Sequence, residues 1–268
     1  MADNGRIPDH SVWGDGEHTV FLLHGGYGSS EYWRPEIKLL TEAGYRVVAW
    51  DTPGYGLSPL PEGEYTMESL AESFVRLLEH VGSEGNKNLL LGHSMGGLIA
   101  PKVCTLAPDR VAALVISATV ESLGHTTPEY QEDFLAERIA PLDAGLKLRD
   151  AAPALIAKMM GPESSGDAVE LVKRVTADTR DDTFRAAIKA IVEYDGRSTL
   201  ASLRLPTLCI AGEHDPVGRP DMMQEIANNI EGAEFYCVSG AAHYAWAEYP
   251  QVFNETVLSF FDRVIHTS

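Results

Sequence analysis

Asn88-Leu89-Leu90-Leu91-Gly92-His93-Ser94-Met95-Gly96-Gly97-Leu98-Ile99 is the stretch on which the reading of this chain turns. An apolar run rich in leucine stops at Gly92, and a helical pattern begins within three residues. Between them sits the pattern G-x-S-x-G, with Ser94 at its centre. A strand that turns at once into a helix forces its apex residue into a strained backbone conformation. Glycine at positions 92 and 96 lets strand and helix approach that closely. The apex side chain then stands clear of the sheet, and the helix N-terminus behind it favours developing negative charge. On five residues alone an ordinary glycine-rich turn is the rival reading. The placement between a buried-type strand and a helix favours a nucleophile at the apex.

Outward from this stretch, the chain alternates strand and helix. Thr19–Leu23 is a continuous apolar run, as expected of a strand covered on both faces. It ends in the glycine-rich loop His24-Gly25-Gly26-Tyr27-Gly28-Ser29-Ser30. A helix is expected from Tyr32 to Ala43, closed by Gly44, then a strand over Tyr45–Trp50. The turn-dense loop Asp51–Ser58 follows, and Thr66 caps a helix reaching Val81. After the central stretch, where Pro101 should kink or break the helix, comes the strand Val111–Ser117. A short strand near His10–Trp13 is a weaker expectation. This order means a mostly parallel, doubly wound α/β sheet with right-handed crossovers.

The alternation then stops. From residue 120 to 199 the pattern is helical, with helices expected at Pro128–Ala140, Asp150–Met160, Ala168–Ala177 and Asp181–Tyr194. A helical insertion after a strand's C-terminal end lies where ligands bind in such sheets, although simple decoration is the plainer alternative. The sheet resumes at Pro206–Gly212 and Glu234–Val238, with helices at Pro220–Ile230 and Pro250–Val264. Residues 1–119 and 200–268 therefore read as one core, and 120–199 as a helical cap.

Composition narrows the function. The formal net charge of -18 over 268 residues argues against nucleic acid or an anionic membrane surface as partner. The acidic residues are dispersed, so solubility accounts for them. Cys104, Cys209 and Cys237 lie in apolar runs, read as small buried hydrophobes, and suit a reducing compartment. No basic start or apolar leader opens the chain, and no apolar run approaches membrane-spanning length, so a cytoplasmic protein is expected.

A serine hydroxyl needs a base within reach, and the base needs a carboxylate that fixes its tautomer. Both should lie in loops on the sheet edge that carries Ser94. Gly212-Glu213-His214-Asp215-Pro216-Val217 and Ser239-Gly240-Ala241-Ala242-His243-Tyr244 follow the last two strands. The order serine, acid, histidine suits Ser94, Asp215 and His243, with Glu121 and Glu213 as alternative carboxylates. His24 and His93 more often serve packing, His214 reads as structural or exposed, and Asp51 as tying down its own turn. Tyr27, Trp33, His125, Tyr244 and Trp246 are candidate pocket residues, as is His93, although aromatic side chains are as often core.

These motifs together resemble the α/β-hydrolase superfamily over residues 19–118 and 200–264. The resemblance is carried by His24-Gly25-Gly26, Asp51-x-x-Gly54-x-Gly56-x-Ser58, the G-x-S-x-G run, Gly212-x-x-Asp215 and Gly240-x-x-His243. It is similar in particular to 3-oxoadipate enol-lactonases and related lactone hydrolases. The resemblance implies Ser94 as nucleophile, His243 as general base and Asp215 as its orienting carboxylate. The backbone N–H groups of Gly26 and Met95 would form the oxyanion hole. It also implies a small ester, lactone or enol-lactone as substrate, and chemistry that calls for no cofactor or metal. A carbon–carbon bond hydrolase, a cofactor-free haloperoxidase or perhydrolase, and a ligand receptor on the same scaffold are the alternatives. Serine rather than aspartate at the apex argues against a dehalogenase or epoxide hydrolase, and no phosphate cradle or dinucleotide fingerprint is present.

Overall fold

The computed structural model describes residues 5–124 and 126–267. A seven-stranded sheet runs in the order β1-β3-β2-β4-β5-β6-β7. Its strands are β1 (His10–Trp13), β2 (Thr19–Leu23), β3 (Arg46–Trp50), β4 (Asn88–His93), β5 (Val111–Ser117), β6 (Thr207–Gly212) and β7 (Glu234–Val238). Only β1 pairs antiparallel, on the edge beside β3, and the other neighbours are parallel. β2, β4, β5 and β6 are buried at every residue, whereas β1 and β7 are partly exposed. That is why the inner strands read as unbroken apolar runs. Along β2, Val20 and Leu22 enter the core on one face, and Phe21 and Leu23 the core on the other.

The helices of the first half are α1 (Arg34–Glu42), α2 (Met67–Val81) and α3 (Met95–Leu106). Thr66 caps α2 as its position implies: its side chain accepts from the Ser69 N–H while Ser69 Oγ accepts from the Thr66 N–H. α1 starts later than the sequence pattern implies, because Ser30–Trp33 winds as a 3₁₀ turn before Pro35 opens the α-helix. Pro101 does not interrupt α3, which runs unbroken through it. Residues 128–193 form α4 (Pro128–Asp143), α5 (Leu148–Ala157), α6 (Asp167–Ala177) and α7 (Asp181–Glu193), close to the expected spans. Two short helices had no signal in the sequence pattern, α8 (Arg197–Ser202) and α10 (Ala245–Glu248). α9 (Pro220–Asn229) and α11 (Pro250–Thr267) complete the set. The chain leaves and re-enters the core side by side: Ser122 bridges Asp195, and the Gly196 N–H donates to the Glu121 carbonyl at 3.0 Å.

One buried carboxyl sets a pH dependence for the whole fold. Glu36 on α1 is 1% exposed, and burial pushes its carboxyl up to about 8 against the opposing pull of its own backbone N–H and Asn254. Between pH ~4.5 and ~8 the folded state holds a proton here that the unfolded chain releases, so stability falls as pH rises through that window. Glu36→Gln removes this loss. In urea titrations the variant should gain about 2–4 kcal/mol over wild type at pH 8.5. Near pH 4.5 the gain should vanish. Stability curves that run parallel from pH 5 to 8.5 would refute it.

Among the described residues no helix is long and apolar enough to cross a membrane. Cys104 and Cys209 are buried and Cys237 half-buried, all as free thiols, and burial pushes Cys209 up to about 12.

Candidate active site

Strand register brings five loops to one sheet edge. Leu23 pairs with Gly92, His93 with Ser117, Ser117 with Ile210, and Gly212 with Val238. The residues that follow these ends are His24–Gly26, Ser94, Ala118–Val120, Glu213–Val217 and Ser239–His243. Candidate site residues separated by over a hundred positions in sequence therefore meet on one edge.

Ser94 sits at the apex between β4 and α3 with φ 54° and ψ -115°. Only one other described non-glycine residue, Ala118, has positive φ. Such a conformation costs on the order of 1–3 kcal/mol and persists where its surroundings over-determine it. Here the Ser94 N–H donates to the Ser117 carbonyl at 2.8 Å, and Thr119 Oγ1 donates to the Ser94 carbonyl at 2.8 Å. A Cβ at Gly92 would lie 2.3 Å from the Gly96 carbonyl oxygen, and one at Gly96 would lie 2.2 Å from that of Leu23. The spacing of glycines around Ser94 is thus a packing requirement of the turn.

His243 and Asp215 form a buried pair. His243 Nδ1 lies 2.9 Å from Asp215 Oδ2 and 3.1 Å from Oδ1. The Val217 N–H donates to Asp215 Oδ1 at 2.8 Å and holds the carboxylate in place. With Nδ1–H donating to this acceptor, the lone pair of a neutral His243 is on Nε2. The other carboxylates lie elsewhere. Glu213 is exposed and accepts from Ser239 Oγ and the Gly240 N–H, and Glu121 accepts from Asn229. His214 is exposed.

Ser94, Met95, Gly26 and His243 all line one cavity of about 40 Å³. Leu98, Val120, Leu123, Phe134, Ile188 and Ile191 make its apolar wall, so α4 and α7 of the insertion close over the sheet edge. Ser94 Oγ makes no hydrogen bond among the described residues. In serine enzymes the contact to the base commonly tightens when substrate binds. Two phenols fix the loop that carries Gly26: Tyr32 Oη accepts from the Gly25 N–H at 2.6 Å, and Tyr55 Oη donates to the Gly26 carbonyl at 2.9 Å. His24 braces the same loop. The Thr52 N–H donates to its Nε2 at 3.0 Å, which leaves the proton on Nδ1 to reach the Gly25 carbonyl at 2.8 Å. Burial holds His24 below the usual histidine range, against the opposing charge of Asp51, which suits this neutral form. Asp51 ties its own turn through the Leu57 N–H and also accepts from the Ser30 N–H at 2.7 Å.

Of the aromatic candidates, Tyr27 lines the cavity. Trp33, His93, Tyr244 and Trp246 do not. They pack behind it as a buried ring cluster, with His93 4.9 Å from His243 and 5.2 Å from Tyr244, and Trp33 4.8 Å from Trp246 between centroids. Burial, followed by the His243 charge, drives His93 well below the usual histidine range, so it packs as a neutral ring. His125 lies outside the described residues. Among the described residues, no three His, Cys, Asp or Glu side chains gather as metal ligands.

Two partners of the site had no motif to announce them. The His243 N–H donates to the Met159 carbonyl at 3.0 Å, from the segment after α5. Glu248, in α10, accepts from the N–H groups of both residues that flank His243, Ala242 and Tyr244.

The family model for the alpha/beta hydrolase fold matches residues 18–249. The chain belongs to the α/β hydrolases. It is 28% identical to a Variovorax paradoxus protein named as a carbamate hydrolase, RutD, over 93% of both chains. It is 24% identical to 3-oxoadipate enol-lactonase 2 of Acinetobacter baylyi, over 95% of this chain and 93% of that one. A hydrolase from Pseudomonas aeruginosa superposes with a TM-score of 0.82 at 28% identity, covering 94% of this chain and 93% of that one. A thermophilic esterase from Thermogutta terrifontis superposes at 0.78 and 25% identity, covering 96% and 93%. The relatives of this α/β hydrolase are thus named for hydrolysis, a lactonase and an esterase among them.

Proposed function

We propose that this α/β hydrolase cleaves a small carboxylic ester, a lactone or enol-lactone in particular, through Ser94, His243 and Asp215. The observation that carries the reading is the buried His243–Asp215 pair at 2.9 Å opening on the same apolar cavity as the strained Ser94. Ser94 Oγ attacks the carbonyl carbon while His243 Nε2 takes its proton, and Asp215 stabilises the imidazolium. The backbone N–H groups of Gly26 and Met95 receive the oxyanion, each worth roughly 2.7–4 kcal/mol by analogy with a measured donor. His243 returns the proton to the leaving alkoxide, which in a lactone stays tethered to the acyl group. Water, deprotonated by His243, then releases the acyl-enzyme as the acid. A cavity of about 40 Å³ holds little more than water, so the helical insertion 120–199 acts as a cap whose wall shifts to admit substrate.

An alkyl fluorophosphonate tests the nucleophile and its base together. Attack at phosphorus expels fluoride and leaves one phosphonyl group on Ser94, read by peptide mass. Labelling of wild type at Ser94 and its loss in His243→Gln are expected. Labelling at another residue, or equal rates in both proteins, would contradict the assignment. Product analysis on turned-over substrates separates acid and alcohol from paired carbon fragments or a peracid.

A further inference from the structure

We propose that Thr119 is a positioning residue for the oxyanion: it grips the carbonyl end of the Ser94–Met95 peptide and so aims the Met95 N–H. The inference rests on the hydrolase reading above and adds a residue to its machinery.

The Ser94 carbonyl and the Met95 N–H belong to one planar peptide unit, so whatever fixes the carbonyl fixes the direction of the donor. Thr119 Oγ1 donates to that carbonyl at 2.8 Å, and the Gly97 N–H donates to it at 2.9 Å. Gly97 lies in the first turn of α3 and moves with the helix. Thr119 stands outside the helix, just past the end of β5, and refers the peptide to the sheet. A carbonyl that accepts also polarises its amide, which makes the N–H at the other end a stronger donor. The Gly26 N–H is held alike. It shares its peptide with the Gly25 carbonyl, which accepts from His24 Nδ1 at 2.8 Å and from the Gly28 N–H at 3.0 Å. In both units one side-chain donor and one N–H of the following turn secure the carbonyl.

Delivering this hydroxyl strains the chain around it. Ala118, the residue before it, has φ 53°, and only Ser94 among the other described non-glycine residues has positive φ. The buried Thr119 N–H is given to the sulfur of Met223 at 3.2 Å, a weak acceptor. A Cβ at Gly97 would lie 3.1 Å from Thr119 Cβ, and one at Gly218 would lie 2.6 Å from the Thr119 nitrogen. Glycine at both positions thus leaves the room that Thr119 fills. Thr119 also lines the cavity, so direct contact with substrate is one rival role. Its single hydroxyl proton is already given to the Ser94 carbonyl, however, and none is left for an ester oxygen. A brace for the fold alone is the other rival, and it would leave the oxyanion untouched.

Thr119→Val keeps the shape and removes the donor, leaving the Ser94 carbonyl its bond from Gly97. On p-nitrophenyl butyrate kcat should fall roughly tenfold with KM within about twofold, a part of the roughly 10²–10³ that loss of a whole oxyanion donor costs. The trifluoromethyl ketone with the same propyl chain reads the oxyanion directly. Ser94 Oγ adds to its carbonyl carbon, the hydroxyl proton passes to His243, and the carbonyl oxygen becomes the anion in the hole. Its Ki should rise by the factor that kcat loses, while the Ki of N-methylbutyramide, which stays trigonal, should hold. Thr119→Ser keeps the hydroxyl and should recover both kcat and the ketone Ki to within about threefold. Equal weakening of ketone and amide would make Thr119 a substrate contact. A lower melting temperature with the ketone Ki unchanged would make it a brace. Either result overturns the proposal, as does wild-type kcat in Thr119→Val, while fluorophosphonate labelling of wild type at Ser94 leaves the hydrolase reading standing. Failure of that labelling would instead remove the reading on which the proposal rests.

Discussion

Ser94→Ala should lower kcat on the hydrolysed ester by on the order of a millionfold while leaving the fold intact. Removal of the nucleophile from a serine triad costs that much because base, carboxylate and nucleophile act as one unit. What remains comes from the oxyanion donors and from substrate binding, and should still exceed the uncatalysed rate by roughly 10³–10⁴. The fold should not notice the change. The hydrogen bonds that hold the apex use the Ser94 N–H and carbonyl, to Ser117 and from Thr119, and alanine retains both. The positive φ of 54° strains alanine no more than serine. The measurement pairs proton release in a pH-stat with a thermal melt. A variant with unchanged melting temperature and residual turnover within tenfold of wild type would eliminate Ser94 as nucleophile.

Much of this arrangement was readable before any coordinates, for definite reasons. The inner strands are buried on both faces, so Thr19–Leu23 and Val111–Ser117 appear in sequence as unbroken apolar runs with sharp ends. The change from such a run to helical spacing across Gly92-His93-Ser94 marks a turn that tolerates little besides glycine at its flanks. The ends of helices α4 to α7 fell within a few residues of expectation. Side-chain destination was less legible. Tyr27 and Trp33 are aromatic residues of the same segment, yet one lines the cavity and the other is 0% exposed behind it. Local sequence carries no record of which ring faces a void, because that depends on what packs from Trp246 and Tyr244, some two hundred residues on. Tyr32 and Tyr55 brace the Gly26 loop by their hydroxyls. Neither belongs to a motif, since a tyrosine that holds a backbone atom has no preferred spacing.

Glu248 should prove to be a positioning residue for His243, with the second-largest effect on activity. Its buried carboxylate gathers donors from two segments. Oε1 accepts from the Tyr244 N–H at 2.9 Å, and Oε2 from the Gly161 N–H at 2.7 Å and from the Ser164 hydroxyl. The Ala242 N–H is shared between both oxygens at 3.2 Å. Residues on either side of His243 are thus tied to the segment that joins α5 to α6, where the Met159 carbonyl also holds the His243 N–H. Glutamine in its place keeps one acceptor oxygen and turns an NH₂ toward backbone donors, leaving a buried N–H unpaired. Each such group costs about 1–3 kcal/mol, so Glu248→Gln should melt several degrees lower at least. Its effect on rate should be separable from that on stability. A displacement of the base near 1 Å can cost about 100-fold, so kcat measured well below the melting temperature should fall roughly 10–100-fold with KM little changed. Ser164→Ala serves as the comparison, because it removes one donor from the same carboxylate without touching the His243 loop, and should leave kcat within about twofold. Fluorophosphonate labelling of Ser94 in Glu248→Gln should slow in step with kcat, since both need the base in place. If Glu248→Gln lowers the melting temperature while labelling and kcat hold at wild-type rates, the carboxylate only ties the chain together. A coupled loss means that the seating of the helical insertion and the placement of His243 are one hydrogen-bonded unit, and that movement of one is felt by the other.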